Sequence, residues 1–202
     1  MNREGLTKKI ARFNRVCLFG AETDDYIAAA LRAYRDFCRT IEFIDKKDKN
    51  SHNVCRADVA KLIADVIQYA MPNDTQKAYD EFHSALCVKI IEEYKDKRVA
   101  ELTFGQAQKW VNMTMKYLCV LSGGNFTENY EWLAKFYPYL HVPIDSIILA
   151  EAEKAGYIFC KSYSCWSKLD KNQYLEIQGK LRMGIDKIHP MDWEFDVWGN
   201  NL

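Results

Sequence analysis

The hydrophobic positions of this chain recur every three or four residues, which is the period of an α-helix. Alternation with a period of two, and the turn pairs that join hairpin strands, are nearly absent. Between residues 23 and 44 the apolar stripe is continuous, and it consists of Ile27, Ala30, Leu31, Tyr34, Phe37, Cys38 and Ile41. The pattern therefore predicts an all-α protein.

Start and stop signals divide the rest of the chain into further helices. Pro72 and the pair Gly123-Gly124 are typical of helix ends, and the polar segment 45–53 indicates a loop. The predicted helices span residues 23–44, 56–70, 75–94, 103–121, 127–136, 143–155 and 167–184. No repeat or composition shift marks a boundary, so we expect residues 1–202 to form a single globular domain. It should contain about seven or eight helices around a central one at 103–121.

The helix at 103–121 carries two kinds of ridge. Its apolar stripe comprises Ala107, Trp110, Val111, Thr114, Leu118 and Leu121, and a second ridge comprises Gly105, Lys109, Asn112 and Lys116. Because lysine and asparagine normally lie outside, we expect the second ridge to face solvent. The alternative is a helix buried on nearly all sides, where desolvation would lower the pKa of a lysine and make its amine a better nucleophile.

Asp145 lies at the start of a helix in the segment "HVPIDSIIL". Pro143 suits the first helical position, which places Asp145 at the third, close to unpaired backbone N–H groups. That contact is worth roughly 0.3–1 kcal/mol and requires no function. The functional alternative is a carboxylate held ionised at the wall of a cleft, where it stabilises a developing cation or accepts a proton.

Composition narrows the class of protein. Of 202 residues, 49% are hydrophobic, and 28 basic residues balance 28 acidic ones, so the chain lacks the positive bias of a dedicated nucleic-acid coat. The seven cysteines, an odd number, favour free buried thiols over disulfides. Neither a signal-peptide core nor a membrane-spanning stretch is evident, which predicts a cytoplasmic protein without a membrane partner.

Metal and cofactor signals are weak. Cys160 and Cys165 could be combined with His141 or His189 in a zinc site, but their spacing is not that of a standard knuckle. Phosphate-binding and dinucleotide-binding glycine patterns are missing. We therefore predict no metal and no cofactor.

"QKWVNMTMKY" followed by "HVPID" resembles the helix-hairpin-helix DNA glycosylase superfamily, and the first motif is similar to its archaeal oxoguanine branch. The resemblance covers residues 102–155. It implies that Asp145 matches the family aspartate and that Lys109 matches the Schiff-base lysine of bifunctional members, with Lys116 as the second candidate. Three features differ: Gly105 stands alone where the family has a glycine-rich hairpin, Lys109 precedes Asp145 by 36 residues (145 minus 109), longer than the family interval, and the cysteines lack the spacing of that superfamily's iron–sulfur loop.

The function predicted from this resemblance is base excision from DNA, with Lys109 and Asp145 as catalytic residues. Candidate phosphate contacts are Lys116 and the basic residues of the N-terminal segment "TKKIARFNR", namely Lys8, Lys9, Arg12 and Arg15. The alternative is a non-catalytic helical binding or regulatory protein, of a mobile element or host-defence system, which the neutral charge and the missing hairpin favour.

Overall fold

The computed structural model describes residues 3–124, 126, 130–159, 163 and 165–200. Within these residues the chain forms nine α-helices and no strand longer than an isolated bridge between Phe43 and Ala100. The helices are α1 (Arg3–Phe19), α2 (Asp25–Phe37), α3 (Lys49–Tyr69), α4 (Gln76–Asp96), α5 (Phe104–Leu121), α6 (Glu131–Phe136), α7 (Ser146–Lys154), α8 (Lys171–Gly184) and α9 (Pro190–Asn200). The all-α prediction is confirmed.

Helix α5 has the ends that the sequence predicts. Thr103 accepts a hydrogen bond from the backbone N–H of Gln106, and the Gln106 side chain accepts one from the backbone of Thr103. This reciprocal capping box satisfies two donors that a helix start leaves unpaired. Gly123 and Gly124 follow the helix with φ values of 64° and 71°, the left-handed region that glycine occupies without a steric penalty.

Two helices in the first half differ from their predicted bounds. Helix α2 ends at Phe37 and is continued by a 3-10 turn at Cys38–Thr40, so the predicted helix at 23–44 was too long. Helix α3 begins at Lys49, because Asp48 accepts a hydrogen bond from the N–H of Ser51. Part of the predicted loop at 45–53 is therefore a polar, solvent-exposed first turn.

In the second half of the chain, the residues that cap the helices differ from the predicted ones. Asp145 is the N-cap of α7 rather than its third residue, and Pro143 lies outside the helix. Asp170, not Ser167, caps α8 through a box with Gln173. In the predicted helix at 127–136, residues 127–129 lie outside the described part of the chain. Helix α9 was not predicted, since its sequence alternates acidic and aromatic residues without a clean apolar stripe.

Helix α5 lies at the centre of the fold. One cluster of buried apolar side chains takes members from α2 through α9, and 15 residues of α5 are buried. Trp110 is fully buried and donates its indole N–H to the carbonyl of Ala30 in α2 at 2.8 Å. The small alanine side chains of α2 allow its backbone to pack close to α5. Arginines of α2 are thereby placed beside α5.

The cysteines of the described residues are free, as predicted, but not all of them are buried. The six cysteines there are free, whereas Cys160 lies outside it. Cys17 and Cys165 are exposed, which corrects the expectation that the thiols are buried. None of the described helices is both long and apolar enough to cross a membrane.

Candidate functional site

The polar ridge of α5 is buried, so the expectation that it faces solvent was wrong. Lys109 is 3% exposed, Asn112 is fully buried and Lys116 is 8% exposed. Burial of these groups is tolerated because each has partners on other elements of the fold. The sequence pattern could not show this, since the partners lie 30 or more residues away in the chain.

Lys109 and Asp145 form a buried ion pair. The Lys109 Nζ lies 2.7 Å from Asp145 Oδ2 and 3.4 Å from the carbonyl oxygen of Pro143. The other carboxylate oxygen, Oδ1, accepts hydrogen bonds from the backbone N–H groups of Ile147 and Ile148 at 3.0 and 2.9 Å. Asp145 is therefore both the cap of α7 and the counter-ion of Lys109, which holds its position from two sides.

The segment that delivers Asp145 is held by side-chain amides. Gln108 donates to the carbonyl of Ile144 and accepts from its N–H, while Gln178 makes the same two contacts with Val142. Asn112 adds a longer contact to the Val142 carbonyl. These bonds satisfy a buried backbone that has no strand or helix partner, and they fix the approach of Asp145 to Lys109.

Behind this segment lies a buried histidine network. His141 Nδ1 contacts the Tyr174 hydroxyl at 2.7 Å, and its Nε2 contacts Asp80 at 2.7 Å. The same hydroxyl lies 3.3 Å from His83 and accepts from Asn112. Burial lowers the pKa of His83 and of His141 below the usual range of histidine. The network thus supports the residues around Asp145 with histidines whose burial favours the neutral form.

A second buried ion pair involves Lys116, two turns along α5. Its Nζ lies 2.8 and 2.6 Å from the two carboxylate oxygens of Glu194 in α9. It also lies 4.9 Å from the ring centroid of Phe195 and 5.4 Å from that of Trp198. Burial raises the pKa of Glu194, an effect that the charge of Lys116 offsets in part.

Lys109 and Lys116 both line one cleft, which has a volume of about 470 Å³. Helix α2 with its following turn, α5, the start of α7, the turn Trp166–Lys168 and α9 contribute to its wall. Its lining residues are Arg32, Arg35, Asp36, Arg39, Lys109, Met113, Lys116, Tyr117, Asp145, Ser146, Ile147, Trp166 and Trp198. The structure therefore brings together the two residues that the resemblance singled out, and it adds basic and aromatic groups around them.

Gly105 explains how the turn with Trp166 reaches this wall. A Cβ atom on Gly105 would lie 2.1 Å from the backbone oxygen of Trp166, and the Gly105 N–H donates to the Leu169 carbonyl at 2.9 Å. Only a glycine allows this approach of backbone to backbone. The lone glycine of the predicted ridge thus positions an aromatic side chain of the cleft.

The basic residues of the N-terminal segment lie elsewhere. Lys8, Lys9, Arg12 and Arg15 belong to α1, and none of them lines the cleft. Arg15 forms an ion pair with Asp25 at 2.7 Å. Their contact with nucleic acid stays a prediction, and it concerns a surface separate from the cleft.

The residues that the sequence analysis missed are Arg32, Arg35, Arg39, Glu194, Trp166 and Trp198. Arg32, Arg35 and Arg39 have a spacing of three and four residues, which could have marked a basic face of the predicted helix at 23–44. For Glu194 and the tryptophans no sequence signal points to the cleft. Among the described residues no group of three or more histidine, cysteine or acidic side chains could hold a metal ion.

Comparison with known proteins adds no relative. No protein-family model matches the chain, and neither curated proteins nor solved structures gave a significant match.

Proposed function

We propose that the chain excises a base from DNA, with Lys109 as the nucleophile and Asp145 as the group that exchanges a proton with it. The observation that carries the proposal is the 2.7 Å contact between Lys109 and Asp145 at the wall of an arginine- and tryptophan-lined cleft. A carboxylate within hydrogen-bond distance of an amine can accept its proton, and the deprotonated amine is the nucleophile in imine formation.

The reaction begins with transfer of a proton from the Lys109 ammonium to Asp145, which frees the lone pair on Nζ. The amine then forms a bond to C1′ of the deoxyribose as the bond from C1′ to the base breaks. The base leaves with the bonding electrons and takes the proton from Asp145. Opening of the sugar ring moves a proton from Nζ to O4′ and leaves a protonated imine between Lys109 and C1′.

A non-catalytic binding function is the second candidate, and one observation favours it. Both oxygens of Asp145 have partners that account for its position, namely two backbone N–H groups and Lys109. A capped helix joined by an ion pair to the central helix is a complete structural explanation of these residues. On this hypothesis the cleft binds a ligand without forming a covalent bond to it.

Borohydride trapping distinguishes the two functions. The protein is incubated with duplexes that carry oxidised, deaminated or alkylated bases, and base release and covalent adducts are measured. We expect an adduct with at least one duplex, because borohydride reduces the imine to a stable amine. Lys109→Gln should abolish the adduct, and Asp145→Asn should slow base release.

The control is Lys97→Gln, which removes a lysine from a surface ion pair with Asp58 and Glu93 outside the cleft. This variant should form the adduct as the native protein does. Unfolding curves of Lys109→Gln establish that it folds. Absence of base release and of adducts on every duplex, with normal folding, would rule out the glycosylase and leave the binding function.

A further inference from the structure

The charges of the cleft are paired except at two positions. Lys109 pairs with Asp145, Lys116 with Glu194, and Arg32 with Asp36 at 2.7 Å. Asp36 is held further by the Tyr117 hydroxyl at 2.8 Å, and the Arg32 guanidinium lies 4.9 Å from the Tyr117 ring centroid. These groups hold one another in place and contribute little net charge.

Arg35 and Arg39 are the exceptions. Both are exposed, both line the cleft, and neither forms an ion pair with any residue in the described part of the chain. They lie four residues apart, Arg35 in α2 and Arg39 in the 3-10 turn at Cys38–Thr40 that follows it, and both line the cleft together with Arg32. The unpaired charge of the cleft is therefore two guanidinium groups at its margin.

We infer that Arg35 and Arg39 form a phosphate-binding site for the strand whose nucleotide enters the cleft. The inference rests on the proposed function and specifies its substrate as a polynucleotide rather than a free nucleotide. A guanidinium binds phosphate oxygens through two parallel hydrogen bonds, and two adjacent guanidiniums suit a phosphodiester better than a neutral ligand. Because no carboxylate occupies them, no existing ion pair has to break when the phosphate binds.

The aromatic residues of the cleft fit the same ligand. Trp166 and Trp198 are half-buried and line the cleft, and aromatic rings are the side chains on which nucleic-acid bases stack. A base in the cleft and its phosphates at the margin would place the sugar between them, near the Lys109–Asp145 pair. The arrangement thus assigns the three parts of a nucleotide to three sets of side chains.

The salt dependence of binding tests this assignment. Affinity for a short undamaged duplex and for the corresponding single strand is measured between about 50 and 200 mM salt. Each phosphate contact contributes about 0.9 to the slope of log affinity against log salt for a duplex and about 0.7 for a single strand. Arg35→Gln combined with Arg39→Gln should therefore lower the slope by about 1.8 or 1.4.

The matched control is Lys89→Gln combined with Lys95→Gln, which removes the same charge from exposed positions on α4 outside the cleft. Its slope should equal that of the native protein. A second comparison, Lys9→Gln with Arg12→Gln, removes the same charge from α1. If Lys9→Gln with Arg12→Gln lowers the slope and Arg35→Gln with Arg39→Gln does not, or if no nucleic acid binds, the inference is overturned.

A deoxynucleoside monophosphate serves as competitor, and we expect it to bind far more weakly than the strand. Equal affinity of the mononucleotide would overturn the assignment to a polynucleotide backbone. Trapping of the imine is a separate readout. If the adduct forms normally but the Arg35→Gln, Arg39→Gln variant has the native salt slope, the arginine site is wrong and the glycosylase proposal stands. If that variant has a lowered slope but no duplex gives an adduct, the glycosylase proposal is wrong and the arginine site stands.

Discussion

The two buried lysine–carboxylate pairs of α5 lie two helical turns apart at the same cleft, yet their acids have different surroundings. The Asp145 side chain is 12% exposed and accepts two backbone hydrogen bonds at the start of α7. The Glu194 side chain is fully buried in α9, and Lys116 is the hydrogen-bond donor that reaches it. Burial raises the pKa of Glu194, which favours the neutral, protonated acid.

The difference distinguishes the two lysines as candidates for the proposed nucleophile. Backbone donors at a helix start hold the Asp145 carboxylate in place whether or not Lys109 is engaged, so Lys109 can leave it to bind another group. Glu194 depends on Lys116, and breaking that contact would leave a charge in an apolar environment. On the proposed function, Lys109 is therefore the lysine that reacts.

The largest effect that we expect is the loss of stability in Lys116→Met. Removing one partner of a fully buried pair typically costs about 3–5 kcal/mol of unfolding free energy. Adding Glu194→Leu should restore most of it, because a well-packed apolar pair needs no counter-charge. Denaturant unfolding measures both. If Lys116→Met alone were as stable as the native protein, Glu194 would have to be neutral or hydrated in that variant.

A smaller loss should follow Lys109→Met. Asp145 keeps its two backbone donors and faces the cleft, so we expect a cost of about 1–3 kcal/mol, the range for one unsatisfied buried polar group. The same unfolding experiment compares it with Lys116→Met. If Lys109→Met were the more damaging of the two, the distinction between the pairs would be wrong.

The buried histidines behind Asp145 give a pH-dependent prediction. Since burial lowers the pKa of His83 and His141, the unfolded chain takes up protons below about pH 6.5 that the folded chain does not. Stability should therefore fall with acidification, at a rate that approaches about 1.4 kcal/mol per pH unit for each histidine. His83→Gln should remove one such contribution, and unfolding free energies measured across this pH range compare the variant with the native protein.

Local signals predicted much of the fold. Thr103 and the glycines after Leu121 fix both ends of α5, and the apolar stripe through Trp110 identifies its buried side. Helix α9 could not be predicted from local signals. Its buried residues include Glu194, which only a distant lysine makes tolerable, so its sequence does not show a helical stripe.

The candidate site was predicted in part. Lys109 and Asp145 stood out through their motifs, and the structure places them in contact. The arginines of α2 and the tryptophans of the cleft join them through tertiary packing, which no local pattern records. Gln108 and Gln178 were missed, and Asn112 was wrongly expected to face solvent, for a related reason: each polar side chain is buried because it satisfies a backbone segment far away in the chain.

Mapping the borohydride-trapped adduct onto the sequence tests the central claim most directly. The trapped complex is digested, and mass spectrometry identifies the peptide that carries the reduced sugar. We predict that the modified residue is Lys109, since its amine is paired with a carboxylate that does not depend on it. A modification at Lys116 or at the amino terminus, or no modified peptide at all, would contradict the account.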